Sequence, residues 1–410
     1  MTQEKGTLLN YVLNRIATKR ALIALVSLGI LVRVVLWLVS RGSNDSGIWE
    51  GHARGIHERG LTWLYGQSRS SNATNFNHPP LMGYWAEAAL VVAKALDLRF
   101  AIVMKIPGLV GEAGSLYVLW KLWKERGGAD LGLSALVLYS WSLVSIFVGS
   151  YHCNTDALCA FLCLLSAYLA ESKGKYFWSG VALAAALNVK VVPVFLVPAA
   201  LVLCQRRRDL VHFSLGLMLA IVPVAPVLVT SPNAFIRSVV QYSPRIENWG
   251  IPYVIDSSVG NALLGPPMRA LLPIYMGTAK VLILALPFAA ALYARFWRRL
   301  DLYEVYALSF ACFLILAPGF GVQYTIFLCP VLFAVNLRWG TYYTALAGLF
   351  IGLVYLLWWD GTFPMVSVFR SRFPMPAPFF GAIAWAFTMG LVWRILNASW
   401  KRRRPCYQPE

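Results

Sequence analysis

Against an apolar background, the side chains able to do chemistry stand out: Asp45, Glu50, His52, Asp97, Glu112, His152, Asp156, Lys190, Arg237, Arg245, Glu247 and the pair Gln323-Tyr324. They are carboxylates, imidazoles and cations, the types that accept protons and balance anions. Several abut the ends of apolar runs, where unpaired charge is costly, so such a cluster is a candidate functional site by default. Asp45 is its expected centre. It lies a few residues past the first apolar run, in Ser43–Pro80, the first long polar interval of the chain. His52 and His57 have no third ligand nearby and give no zinc signature. The seven cysteines include no CxxC pair and read as small core residues, not as disulfides or metal ligands.

The elements that must position these residues are membrane helices. The 410 residues are 59% hydrophobic and only 13% charged, with a mean hydropathy of +0.61. A net charge of +18 would suggest nucleic acid in a soluble chain. Here the Lys and Arg fall in short clusters between apolar runs, the pattern that sets membrane topology, and nucleic acid is excluded as a partner. Residues Met1 to Arg20 are too basic for a cleaved signal by themselves, so the apolar run that follows is read as a retained first helix.

The fold class expected is all-α integral membrane, a single domain over 1–410 with about twelve transmembrane helices. Helix one spans about Ala21 to Ser40, after Arg15, Lys19 and Arg20, which puts the N-terminus inside and Asp45 outside. Residues 41–100 form the first outer loop. Within it Leu81–Leu98 carries Glu87, Lys94 and Asp97 and is placed along the interface as an amphipathic helix, because a crossing there would put every later basic cluster on the wrong face. Helices two, three and four then run over Ile102–Trp120, Leu131–Ser150 and Ala157–Ala170, and Tyr176–Cys204 is two short helices meeting near Lys190 and Pro193. Residues 230–268 form a second large outer loop and 397–410 a basic cytoplasmic tail. Arg33, in the outer half of helix one, must face a polar cavity or snorkel to a phosphate.

The order of the polar motifs carries a resemblance. After the first helix come Asn44-Asp45, Asn77-His-Pro-Pro-Leu81, Lys105-Ile-Pro107 and Tyr151-His-Cys-Asn-Thr-Asp156. Then follow Asn188-Val-Lys190-Val-Val-Pro193, Trp249-Gly250 and Pro318-Gly-Phe-Gly-Val-Gln-Tyr324. Over nearly the whole chain this resembles the GT-C superfamily of polyprenyl-phosphate-sugar glycosyltransferases, bacterial mannosyltransferase-like proteins above all. The resemblance implies an inverting transfer of a hexose, mannose first, from a polyprenyl-phosphate donor to an acceptor hydroxyl at the outer or lumenal face. Asp45 matches the family's catalytic acidic residue and would be the general base. Lys190, Arg245 and Arg33 or Arg237 would balance charge on the departing phosphate. Asp156 matches the acidic position of the second outer loop, where relatives hold the acceptor, the sugar or a metal. His152, Glu247, Gln323 and Tyr324 complete the expected substrate-binding set. No DxD or DxE pair stands at Asp156, so no cofactor and no metal is expected, a divalent cation being the alternative. The implied partners are the lipid-linked donor, a lipid-linked or glycan acceptor and membrane lipids. The implied location is a bacterial plasma membrane, or else the endoplasmic reticulum.

Blander readings stay open at this stage. Asp45 is also a plausible solvated loop acid, Asp156 a helix N-cap, Lys190 and Arg33 snorkelling anchors, and Gln323-Tyr324 a plain helix start. Two other functions compete: a flippase or transporter of lipid-linked saccharide, and a non-catalytic subunit of a glycosylation complex. A transporter would show two similar halves and charged or broken helices near mid-membrane, whereas no half-repeat is evident here.

Overall fold

The computed structural model describes residues 19–67, 76–242, 249–256, 267–297, 300–358 and 376–401. Every described element is helical. Five helices are long and apolar enough to cross a bilayer: Lys19–Val39, Phe100–Gly127, Ala270–Phe296, Leu337–Leu356 and Ala377–Asn397. A sixth span results if Ala129–Ser140 and Leu143–Tyr151, bent by 51°, are taken together. The chain is therefore an integral membrane protein, with five or six bilayer-length spans among the described residues where the sequence leads one to expect about twelve transmembrane helices. Four apolar helices are shorter, Tyr176–Val189, Val192–Leu203, Leu302–Leu316 and Val322–Val335. The first of these, with 14 residues, rises only about 21 Å against a hydrocarbon core of about 30 Å.

We label the elements that build the site α1 (Lys19–Val39), α2 (Asp45–Arg59), α3 (Leu61–Gly66), α4 (Pro80–Ala95), α5 (Phe100–Met104) and α6 (Ile106–Gly127). After them come α7 (Ala129–Ser140), α8 (Leu143–Tyr151), α9 (Asp156–Ala167), α10 (Tyr176–Val189), α11 (Val192–Leu203), α12 (Leu302–Leu316), α13 (Val322–Val335) and α14 (Leu337–Trp358). Helices α12 and α13 are apolar around their whole circumference and are buried on nearly all sides, the expected fate of such helices inside a bundle. Helix α1 has the opposite exposure, with Ile23, Leu31 and Val35 left open as a surface for lipid.

The polar stretch read as a loop is mostly helix. In α2 the residues Trp49, Ala53 and Ile56 share one face and are buried, and the helix packs on α4. Helix α4 presents Gly83, Ala86, Ala89 and Ala93 inward and leaves Leu81, Tyr84, Val91 and Val92 exposed. A Cβ on Gly83 would come 2.6 Å from Leu61 Cδ1, so a larger residue there would have to displace the end of that side chain. The expected cytoplasmic tail begins inside a helix, since the last one runs from Ala377 to Lys401.

Two buried cations hold the start of this layer. Lys105, fully buried between α5 and α6, donates through Nζ to the carbonyls of Leu36 (3.3 Å), Trp37 (2.7 Å) and Ser40 (2.9 Å) at the end of α1. It bonds carbonyls of the last turn, of which that of Leu36 also accepts from the Ser40 amide, and places a cation at the negative end of the dipole. Lys105→Met is expected to cost about 1–3 kcal/mol of stability, seen as a lower thermal midpoint of the purified protein in detergent.

Arg33, expected to face a polar cavity or to snorkel, is buried among polar groups of the protein itself. Its Nε lies 3.3 Å from Glu112 Oε2, and its other nitrogens donate to the carbonyls of Gly29, Tyr139 and Ser140 and to Ser145 Oγ. The bend between α7 and α8 interrupts the helical ladder at Ser140, and the guanidinium satisfies the carbonyls there, the repair a broken helix needs in a bilayer.

Candidate active site

The end of α1 is stitched to the segment after α8. Ser40 Oγ donates to the Tyr151 carbonyl (3.1 Å), and both the amide (3.1 Å) and the hydroxyl (2.9 Å) of Ser43 donate to the His152 carbonyl. Gly42, at φ +85°, lies so close that a Cβ there would sit 2.4 Å from Cys153 Cβ. Only glycine allows that approach with that backbone. Cys153 itself sits at φ 65°, a region costly for a residue with a side chain. Its turn carries His152 and Asn154 on either side, and both reach Asp45.

Asp45 opens α2, where the N-terminal end of the helix dipole favours a negative charge. Its amide donates to Ser43 Oγ (3.2 Å). His152 Nε2 lies 3.1 Å from Asp45 Oδ2, and Asn154 Nδ2 donates to the same oxygen at 3.3 Å. Oδ1 takes no hydrogen bond from the described residues. The Asp45 side chain is 24% exposed whereas that of His152 is 4% exposed, so the carboxylate is the accessible member of the pair. Burial pushes the Asp45 carboxyl up, but His152, Lys190 and Asn154 together outweigh it and hold it below its usual value of 3.8. It is ionised at neutral pH. Behind His152, the Tyr355 hydroxyl of α14 bonds Nδ1, with the two rings stacked 5.6 Å apart.

A second pair stands beside the first. Lys190 occupies the break between α10 and α11, in extended conformation, where the following Val191-Val192-Pro193 cannot continue the helix. Its Nζ donates to Asp156 Oδ1 at 2.6 Å and lies 4.9 Å from the Tyr324 ring centroid and 5.9 Å from that of Phe327. Asp156 is the first residue of α9 and fully buried; it is not the helix cap expected, since its own amide donates to Asn154 Oδ1 (2.8 Å). Its Oδ2 has no hydrogen-bond partner among the described residues. Asp45 and Asp156 each interact electrostatically with both Lys190 and His152, which makes the two pairs one cluster.

The structure thus brings together Asp45, His152, Asp156, Lys190 and Tyr324. Gln323 is half-buried and folds back towards Gly321. Arg33 is committed to Glu112, Arg237 is exposed, and Glu50 pairs with Arg54 (2.5 Å) on the surface. Arg245 and Glu247 lie outside the described residues. His52 packs edge-on to Trp49 and Phe76 as a core side chain, and burial takes its imidazole down to about 4. His78 is held down to about 3 by burial first and by Lys190 second. Both imidazoles are neutral at pH 7. Among the described residues no group of three His, Cys, Asp or Glu side chains could hold a metal ion. Asn154 and Tyr355 are the two members of the cluster absent from the sequence reading.

The sequence model of glycosyltransferase family 87 matches residues 98–320, just over half of the chain. The matched region contains His152, Asn154, Asp156 and Lys190 but begins after Asp45 and ends before Tyr324 and Tyr355. A search among curated proteins finds no match to the chain. An all-helical bundle with several bilayer-length helices, a polar cluster at their ends and this family match lead to one assignment: the chain belongs to glycosyltransferase family 87, a GT-C-type family of membrane glycosyltransferases.

Proposed function

We propose that this glycosyltransferase moves a hexose, mannose first, from a polyprenyl-phosphate donor to an acceptor hydroxyl at the outer or lumenal face of the membrane, with inversion and with Asp45 as general base. The observation that carries this reading is the state of Asp45: ionised, partly open to solvent, held through Oδ2, and with no hydrogen bond to Oδ1 from the described residues. In the step, the acceptor oxygen attacks the anomeric carbon while its proton passes to Oδ1. The bond from that carbon to the phosphate oxygen breaks, and the polyprenyl phosphate leaves with the electron pair. A phosphate is already a good leaving group, so alignment and charge balance are what remain for the protein to supply. Lys190 carries three N–H donors and spends one on Asp156, leaving two for the phosphate. Arg245 is the further cation assigned to it, and Glu247 and Gln323 are assigned to the sugar or acceptor.

The test is to reconstitute the full chain in liposomes and offer polyprenyl-phosphate mannose, glucose and arabinose with a glycolipid acceptor. Glycosylated acceptor with mannose, and free polyprenyl phosphate in equal amount, is the expected result. Donor translocation without any transfer would favour the transporter reading, and transfer from glucose or arabinose alone would correct the sugar.

A further inference from the structure

Resting on the reading of Asp45 as the base, we propose that His152 and Tyr355 are positioning residues. Tyr355 fixes the imidazole with Nε2–H aimed at Asp45 Oδ2, and the imidazole in turn holds the carboxylate with Oδ1 towards the acceptor. Hydrogen-bond counting leads there. An ionised carboxylate only accepts, so the ring nitrogen 3.1 Å from it must carry the proton. The other ring nitrogen is bonded to the Tyr355 hydroxyl, which can donate to it when it is bare and accept from it when it carries a proton. In either case the bond from Nε2–H to Asp45 has one direction.

Packing makes the direction hard to reverse. Tyr355 is 3% exposed, and its ring is held by Phe147 (centroids 5.8 Å apart) and Tyr151 (5.3 Å) as well as by the stack on His152. The His152 backbone is fastened by Ser43, and Cys153 keeps its left-handed turn beside it. Without the Tyr355 hydroxyl, Nδ1 loses its partner and the ring loses one of the contacts that fix its orientation, so its hold on Asp45 Oδ2 loosens. Tyr355 sits 203 residues from His152 and outside the region matched by the family.

Among the described residues, the charged and titratable groups around Asp45 and His152 are Lys190, Asp156, Tyr355, Tyr324, Tyr151, His78 and Cys153. Of these, His152 does most to lower the Asp45 carboxyl against burial. The base must be deprotonated, so activity falls as pH drops through its pKa. Removing His152 raises that pKa and moves the acid limb of kcat/KM to higher pH.

The experiment compares wild type, Tyr355→Phe, His152→Ala and His152→Gln in proteoliposomes, with Asp45→Asn as reference. Y355F is expected to lower kcat about tenfold, the loss of one hydrogen bond in a chain to a charged group, with donor KM unchanged. H152A should lose more and shift the acid limb upward, and H152Q should recover part of both, because its carboxamide still donates to Oδ2. The proposal is overturned if Y355F and H152A keep the wild-type kcat and acid limb while D45N is inactive, or if donor KM alone rises, which would make His152 a substrate ligand. Activity retained by D45N would instead remove the reading on which the proposal rests. Should Y355F lower the thermal midpoint, the recovery of rate from H152A to H152Q, measured with Tyr355 intact, decides.

Discussion

Asp45→Asn is expected to lower kcat by about 10²- to 10⁴-fold, the usual contribution of a positioned general base, while donor affinity stays within the error of the wild type. Asparagine keeps the shape and still occupies the start of α2, so the stitched segment of Ser40, Ser43 and His152 should persist. What it loses is the ability to take a proton. His152 Nε2–H and Asn154 Nδ2–H can both still donate to the amide oxygen of the variant, which leaves an NH₂ group facing the acceptor where Oδ1 stood. Single-turnover transfer with saturating donor separates the loss from binding. A D45N enzyme with near-normal kcat would remove Asp45 from the chemistry.

Lys190→Met is expected to destabilise the protein by about 3–5 kcal/mol, because it leaves Asp156 as a buried charge without its partner. Asp156 is fully buried, and among the described residues its Oδ2 has no hydrogen-bond partner that could take over. The double variant Asp156→Asn with Lys190→Met removes both charges and should recover most of the lost thermal midpoint in detergent. It should not recover transfer, since the ammonium assigned to the phosphate is still missing. A single K190M with wild-type stability would mean that the 2.6 Å contact is not an ion pair in the folded protein. Transfer restored in the double variant would confine Lys190 to a structural role.

Much of the candidate site was legible because charge is scarce in this chain. Asp45, Asp156 and Lys190 each sit at the end of an apolar run, and the break at Lys190 is announced by Pro193. Helix α2 was missed, although Trp49, Ala53 and Ile56 stand at helical spacing, because Gly47, Gly51 and Gly55 and the many polar residues make the stretch look like a loop. The sequence does not separate full-length spans from shorter buried helices, because an apolar run shows that a segment avoids water, and a bundle interior satisfies that as well as lipid does. Helices α12 and α13 are buried in protein on almost every side. Tyr355 gave no signal, being one aromatic residue in an apolar helix whose partner lies 203 residues earlier. Arg33 was noticed without its surroundings, since nothing local to it names Glu112 as its counter-charge.

That last pair bears on how the protein is made. A separation of 79 residues means that α1 leaves the ribosome well before Glu112 does. Until then the guanidinium has neither its carboxylate nor the opened backbone of the α7–α8 bend, and a lone arginine at such a depth costs about 2.5–3.5 kcal/mol on insertion scales. The contacts of Arg33 tie α1 to α6 through Glu112 and to α7 through the Tyr139 and Ser140 carbonyls, so a lesion in any of the three helices is expected to be felt as failed biogenesis before it is felt as failed catalysis.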